Sequence, residues 1–333
     1  MRISLLRLAM LLTIANLFLC SCSESEMTEP EEEIRFIAPT IQANFDLIKN
    51  PRTHLDENTG VLKWTPDDEL LIFVHEVDKQ PSNEEGWLKC RYKFVTDESN
   101  CINNKFYEDK TSDHPLRLNP SKEYNWYVMS PYNESVKSPV GHGSFIIGDQ
   151  ILDFSKTTAH LSAKDLMTSV DYQVKAKEEV KISLKHLATL MMFRIYNKQT
   201  SDFIPSYIEF ETKGKTNIPI GGTCTVDFEK GITPISGSNK MLLNLTNAPS
   251  IKPKEYFDVY TMMIPFKLEV NEQFNIHLVT NNSNSLQTST MRAPIFFQKG
   301  TINRANVYVT PFPISTNINP WGVQGEIDGE IQI

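Results

Sequence analysis

With 333 residues, a formal charge of −8 at pH 7 and no Lys/Arg cluster, the chain is long enough for two ordinary domains. Its charge argues against nucleic acid or anionic lipid as a partner. Beyond the first 22 residues only Cys90, Cys101 and Cys224 remain, which excludes a disulfide framework as the organiser of the fold.

At the N-terminus Arg2 and Arg7 flank an apolar stretch from Leu8 to Leu19, broken by Thr13 and Asn16. This pattern reads as the basic and apolar regions of a signal peptide over residues 1–21. The run is too short for a spanning helix, which needs roughly 20 apolar residues. It ends in Leu19-Cys20-Ser21-Cys22, which resembles the lipobox of bacterial lipoproteins. Cys22, with Leu19 at −3 and Ser21 at −1, fits as the acylated residue better than Cys20. An acyl anchor contributes about 0.8 kcal/mol per buried CH₂, so several chains on one cysteine hold a membrane durably. Residues 22–33 are polar and acidic (Glu24, Glu26, Glu29 and Glu31-Glu32-Glu33) and read as a solvated tether. The stretch resembles those that send lipoproteins of anaerobic Gram-negative bacteria to the outer face of the outer membrane, and that is the expected location.

After the tether, Ile34-Arg35-Phe36-Ile37-Ala38 begins a strand-like segment reaching Ile41. A looser stretch follows and ends in Lys49-Asn50-Pro51-Arg52-Thr53, where a trypsin-like protease would find an accessible arginine. Period-2 patterning dominates the body: Val180, Ile182, Leu184 and His186 alternate with Lys181, Ser183 and Lys185, and Phe274, Ile276 and Leu278 alternate with Asn275 and His277. Leu70 to Val74 and Met262 to Ile264 are denser and read as central strands covered on both faces. Breakers lie between these runs, among them Pro66-Asp67-Asp68, Gly221-Gly222 and Asn281-Asn282-Ser283-Asn284. The expected fold is all-β, with sandwiches or barrels. One short helix is expected near Ser162 to Val170, capped by Ser162. A domain boundary is placed at 175/176, giving units of 34–175 and 176–333. Cys90 either pairs with Cys101 or stays a buried thiol on the face of Tyr92 and Phe94; Cys224 reads as core.

The sequence offers little catalytic chemistry. Its seven histidines are scattered, with no i, i+4 pair, and there is no Cys-x-x-Cys, nucleophile elbow or phosphate-binding glycine loop. His186 reads as a core histidine on an apolar strand face. No cofactor or metal is expected, and an enzymatic role is unsupported.

The C-terminus alternates strictly: Val323, Ile327, Ile331 and Ile333 share one parity with Gly325 and Gly329, while Gln324, Glu326, Asp328, Glu330 and Gln332 take the other. That describes a strand with one face buried. It is either the last strand of its own sandwich or one that completes a neighbour's sheet by β-strand addition.

Several motifs in order carry a resemblance to the fimbrillin family: Ile34-Phe36-Ala38, Arg52-Thr53, Trp64, Asp67-Asp68, Leu70 to Val74, Tyr127 to Tyr132, Asp165-Leu166-Met167, Lys185-His186-Leu187, Met263-Ile264-Pro265, Phe297 to Gly300 and Asn319-Pro320-Trp321. Asp67-Asp68-Glu69 departs from the family's usual Gly-Asp. The resemblance implies two transthyretin-like β-sandwich domains in tandem. It implies a lipoprotein that a trypsin-like protease cuts after Arg52, before Thr53, removing a pro-segment of residues 34–52 with its first strand. The terminal strand of another pilin subunit, residues 323–333, would fill the groove left open. The implied function is a structural or adhesive subunit of a surface fimbrium. The alternative is a monomeric surface lipoprotein that binds glycan or host protein through aromatics such as Trp87 or Trp126.

Overall fold

A computed structural model of the chain describes residues 35–45, 54–56, 61–64, 68–79, 81, 87–95, 104–111, 115–156, 159–215, 217–281, 283–292, 295–310 and 329–332. Almost all regular structure is β, as the period-2 patterning predicts. The first half runs β1 (Thr40–Phe45), β2 (His54–Asp56), β3 (Val61–Lys63), β4 (Glu69–Glu76), β5 (Leu88–Phe94), β6 (Lys105–Glu108) and β7 (Glu123–Ser130). Then come β8 (Val140–Ile147), β9 (Gln150–Asp153), a four-residue helix α1 (Ala159–Ser162), β10 (Met167–Lys175) and β11 (Glu179–His186). The second half comprises β12 (Thr189–Asn197), β13 (Pro205–Lys213), β14 (Gly221–Asp227), β15 (Gly231–Ser238), β16 (Lys240–Thr246) and β17 (Tyr256–Met263). It ends with β18 (Phe266–Leu268), β19 (Gln273–Thr280), β20 (Ser283–Arg292), β21 (Ile295–Phe297), β22 (Ile302–Val309) and β23 (Gly329–Gln332).

In the first half one sheet, in the order β1-β11-β10-β7-β4-β5-β6, closes on itself where β1 meets β6. Leu70, Ile72 and Val74 of β4 and Tyr124, Trp126 and Val128 of β7 fill its interior. The opposite faces of the same strands, through Leu71, Phe73, Tyr127 and Met129, enter a second cluster with Phe145, Cys224, Val226 and Met262. Both faces of β4 are therefore buried, which is why Leu70 to Val74 reads as an unbroken apolar run. On β11 Val180, Ile182, Leu184 and His186 are buried, while Lys181 and Lys185 face solvent.

The second half is a sandwich. Sheet β17-β12-β22-β23 faces sheet β20-β19-β13-β16-β9, and Phe193, Ile195 and Val259 from one pack with Ile208, Phe210 and Ile276 from the other. Phe193 stacks on Phe210 at 5.1 Å between ring centroids. A three-stranded sheet, β15-β14-β8, carries the middle cluster.

Several expectations are revised. The first strand is β1 at 40–45 rather than 34–41, because Ile41 and Ala43 are the positions that reach the core while Phe36 stays exposed. The stretch from Ser162 to Val170 is not helical. The short helix ends at Ser162, and Met167 to Asp171 pairs with Ser130 to Trp126 of β7, supported by the Thr168 hydroxyl donating to the Phe228 carbonyl at 3.0 Å. Gly221-Gly222 is no break but the start of β14. Gly222 has φ +127°, and a Cβ there would collide with the Ser236 carbonyl oxygen, so only glycine fits. Met262 and Met263 lie on β17, which is buried on both faces at its end yet stands at the edge of its sheet. The boundary proposed at 175/176 falls between β10 and β11, which pair through Met167↔His186; β8 and β9 join sheets of the second half.

Cys90 and Cys224 are both buried. Burial pushes the Cys90 thiol up to about 12 and the Cys224 thiol up to about 11, so neither is a nucleophile at neutral pH. Cys101 lies outside the described residues. His186 is buried 3.5 Å from the Asp165 carboxylate. No helix among the described residues is long and apolar enough to cross a membrane.

Candidate assembly site: the first strand and its slot

β1 closes the first sheet by pairing on both sides. It runs parallel to β11 over six residue pairs, Thr40↔Glu179 to Phe45↔Leu184, but meets β6 antiparallel over only Ile41↔Phe106 and Gln42↔Lys105. The seam between β1 and β6 is thus as short as that between β10 and β11, which also pair at two positions. The strand forms there because Ile41 and Ala43 alternate with the half-exposed Gln42 and Asn44, putting both apolar side chains, 0% exposed, into the interior.

Three further contacts hold the strand. The Trp64 indole N–H donates to the Ala43 carbonyl at 3.2 Å, and its ring meets Phe106 edge-on at 4.8 Å. Asn104 donates its side-chain amide to Asn44 at 3.3 Å, and its carbonyl accepts the Ala43 N–H at 3.0 Å. Lys105 of β6 reaches across β1 to Glu179 of β11 at 2.6 Å. The hydrogen bond between these two raises the lysine pKa and lowers that of the glutamate, so each keeps the other charged. Upstream, Ile37 and Leu118 exchange two backbone bonds of 2.9 Å.

The outer wall of the slot depends on a carboxylate. Asp109, just after β6, is salt-bridged to Lys93 at 2.9 Å and accepts the N–H and hydroxyl of Thr111 at 3.0 and 2.8 Å. The Lys93 hydrogen bond, followed by the Thr111 N–H, holds its carboxyl at about 2, below the ordinary 3.8. A carboxyl whose folded pKa is depressed stabilises the fold above its unfolded value; that contribution is lost as pH falls from about 4 through about 2. Chemical unfolding across this range is expected to show a slope that Asp109→Asn removes. An unchanged slope in the variant would refute the assignment.

Of the sequence-predicted site residues, only Ile331 lies within the described chain, on β23. Cys22, Arg52, Thr53, Val323, Ile327 and Ile333 lie outside it. β23 runs parallel to β22, with Val307↔Ile331, at the edge of its own sandwich. Trp64 and the Lys105–Glu179 pair are the site residues that patterning did not assign: the first stood only as a family motif, and the pair spans 74 positions of sequence. The two tryptophans considered as sugar platforms differ in burial, Trp87 being half-buried. Trp126 is fully buried, and Trp87 packs edge-on against Phe73, His75 and Tyr127. Glu209, Glu211 and His277 converge on the outer face of the sandwich, but Lys240 occupies the space between the two carboxylates at 3.1 and 3.4 Å.

No protein-family model matches the sequence, and no curated protein matches it. Solved structures do. A protein from Bacteroides ovatus described as a "putative cell adhesion protein" aligns with a TM-score of 0.54 and 14% identity over 82% of this chain and 92% of its own. A second so described, from Bacteroides uniformis, gives 0.50 and 12% over 83% and 94%. The shared feature is the fold. A fimbrial protein from Bacteroides ovatus aligns more distantly, with a TM-score of 0.38 and 12% identity over 86% of this chain and 50% of its own.

Proposed function

We propose that this chain is a structural or adhesive subunit of a bacterial surface fimbrium. It is exported as a lipoprotein acylated at Cys22 and held at the outer membrane. A trypsin-like protease matures it by cutting after Arg52, and it polymerises with other pilin subunits by β-strand exchange. The observation that carries this reading is the placement of β1: it lies within residues 34–52, and it fills the seam between β6 and β11. Removing it leaves two unpaired strand edges over an apolar groove lined by Phe106, Val180 and Ile182, a surface that a foreign strand stabilises by pairing. An intact β1 keeps the subunit closed until the cut is made. The likeness in fold to Bacteroides proteins described as cell adhesion proteins supports a place at the cell surface, where a host or bacterial ligand would be met.

A second reading, a monomeric surface lipoprotein that keeps its tether, is favoured by one observation: residues 329–332 pair with β22 of their own chain. Limited tryptic digestion of the mature-length protein separates the two. The fibre reading expects an early cut after Arg52, followed by SDS-resistant oligomers that disappear when residues 323–333 are deleted. A cut product that stays monomeric with an intact C-terminus supports the monomeric reading instead.

A further inference from the structure

Far along the chain from β1, a cleft of about 730 Å³ opens between the β14–β15 hairpin and the paired strands β18 and β21. Its size falls in the range of about 300–1,000 Å³ typical of small-ligand sites. The charge of this cleft runs against that of the chain. The protein carries a net −8, yet the charged residues lining the cleft are Lys230, Lys267 and Lys299, with no Asp or Glu among its described lining residues.

The lysines are available to a ligand. Lys230 meets Asp227 at 3.5 Å and Lys267 meets Glu269 at 2.7 Å, but these ammonium-bearing side chains are 82% and 57% exposed, so water and salt screen both pairs and an incoming anion competes with them. Lys299 is exposed and lines the cleft beside Gly231. Its Nζ lies 3.7 Å from where a Cβ of Gly231 would stand, and Gly231 has φ +106°, a conformation L side chains rarely adopt.

The rest of the lining is apolar with two amides. Phe296 sits on β21 between the buried Ile295 and Phe297, and is itself 53% exposed. Ile232, Ile264 and Pro265 continue the apolar surface, while Asn217 and Gln298 add side-chain donors and acceptors. An exposed aromatic face suits the C–H face of a pyranose ring, amides suit its hydroxyls, and lysines suit a carboxylate. We propose that this cleft binds the carboxylated sugar units of an acidic polysaccharide. The site stands apart from the β1 slot, so the inference does not depend on strand exchange.

The test is calorimetric titration of the full mature chain with trigalacturonic acid and, as the neutral probe, its methyl ester. The acid is expected to bind, to weaken as salt rises, and to lose about tenfold in affinity in the ester or against Lys299→Gln, the scale of one lost charge-assisted hydrogen bond. Phe296→Ala is expected to weaken acid and ester alike. Both side chains are at the surface, so neither change threatens folding. Equal affinity for acid and ester would overturn the inference. So would failure to bind both trigalacturonic acid and a sialylated lactose. A peptide of residues 23–33 binding more tightly than either sugar, and through Lys299, would also overturn it and assign the cleft to an acidic chain segment.

Discussion

Ala43→Asp is expected to expel β1 from an otherwise intact molecule. Ala43 is 0% exposed and stands opposite Ile182 of β11, so its side chain enters the interior of the closed sheet. A carboxylate there has no partner, and burying it unpaired costs more than the strand contributes. What the strand contributes is bounded. Burying a residue such as Ile41 is worth about 1.5–3 kcal/mol, and β1 meets β6 through only two pairs. Local opening is therefore the cheaper response. Hydrogen exchange should report it as a loss of protection at β6 and β11 of about a hundredfold, corresponding to ~3 kcal/mol, with β12, β13 and β19 unchanged. The uncut variant should also take up a synthetic peptide of residues 323–333 that the unaltered chain refuses. Uniform loss of protection across the chain would show that β1 is an integral part of the fold, and the slot reading would fail.

Trp126→Ala is expected to be the most damaging single truncation in the first half. The residue is the bulkiest of the fully buried side chains and sits mid-strand on β7, between β4 and β10. Substitutions of this kind cost about 3–5 kcal/mol, the spread reflecting how far a site collapses around the cavity. Its indole N–H has no hydrogen-bond partner among the described residues. Trp126→Phe, which removes that buried donor together with part of the volume, should therefore lose far less. Urea midpoints of the two variants decide the matter. Equal losses would mean that the N–H is satisfied in solution.

How far the sequence speaks for this fold depends on how each strand is buried. β11 and β19 alternate, and β4 is apolar throughout, because the first two meet one core side by side with solvent or polar neighbours while β4 divides two cores. All three are legible from their residues. The helix expected over Ser162 to Val170 rests on Asp165-Leu166-Met167 following a capping serine; the pairing of β10 with β7, 37 residues earlier at Met167↔Ser130, overrides that local signal from Met167 on. The site was legible in part. Its parity, Ile41 and Ala43, is visible once the strand is placed, but the flanking apolar Ile34, Phe36 and Ile37 drew the reading six residues too early. The cleft proposed for an anionic ligand gave no local sign at all, because Lys230 and Lys299 come from two separate turns and Lys267 from β18.

The middle cluster has a mechanical consequence. Leu71, Phe73 and Met129 from the closed sheet interlock there with Cys224, Val226 and Met262 from the second half. A tether pulling at one end of the molecule would therefore pass tension into the other half through packed side chains rather than through a bare linker. The same geometry governs β1, or any strand in its place. Drawn along its own axis, a six-residue strand paired lengthwise with β11 strains its ladder bonds together, in shear, instead of peeling them singly. Bonds strained together yield at a higher force than bonds broken in turn, which is the property that the proposed fibre would require.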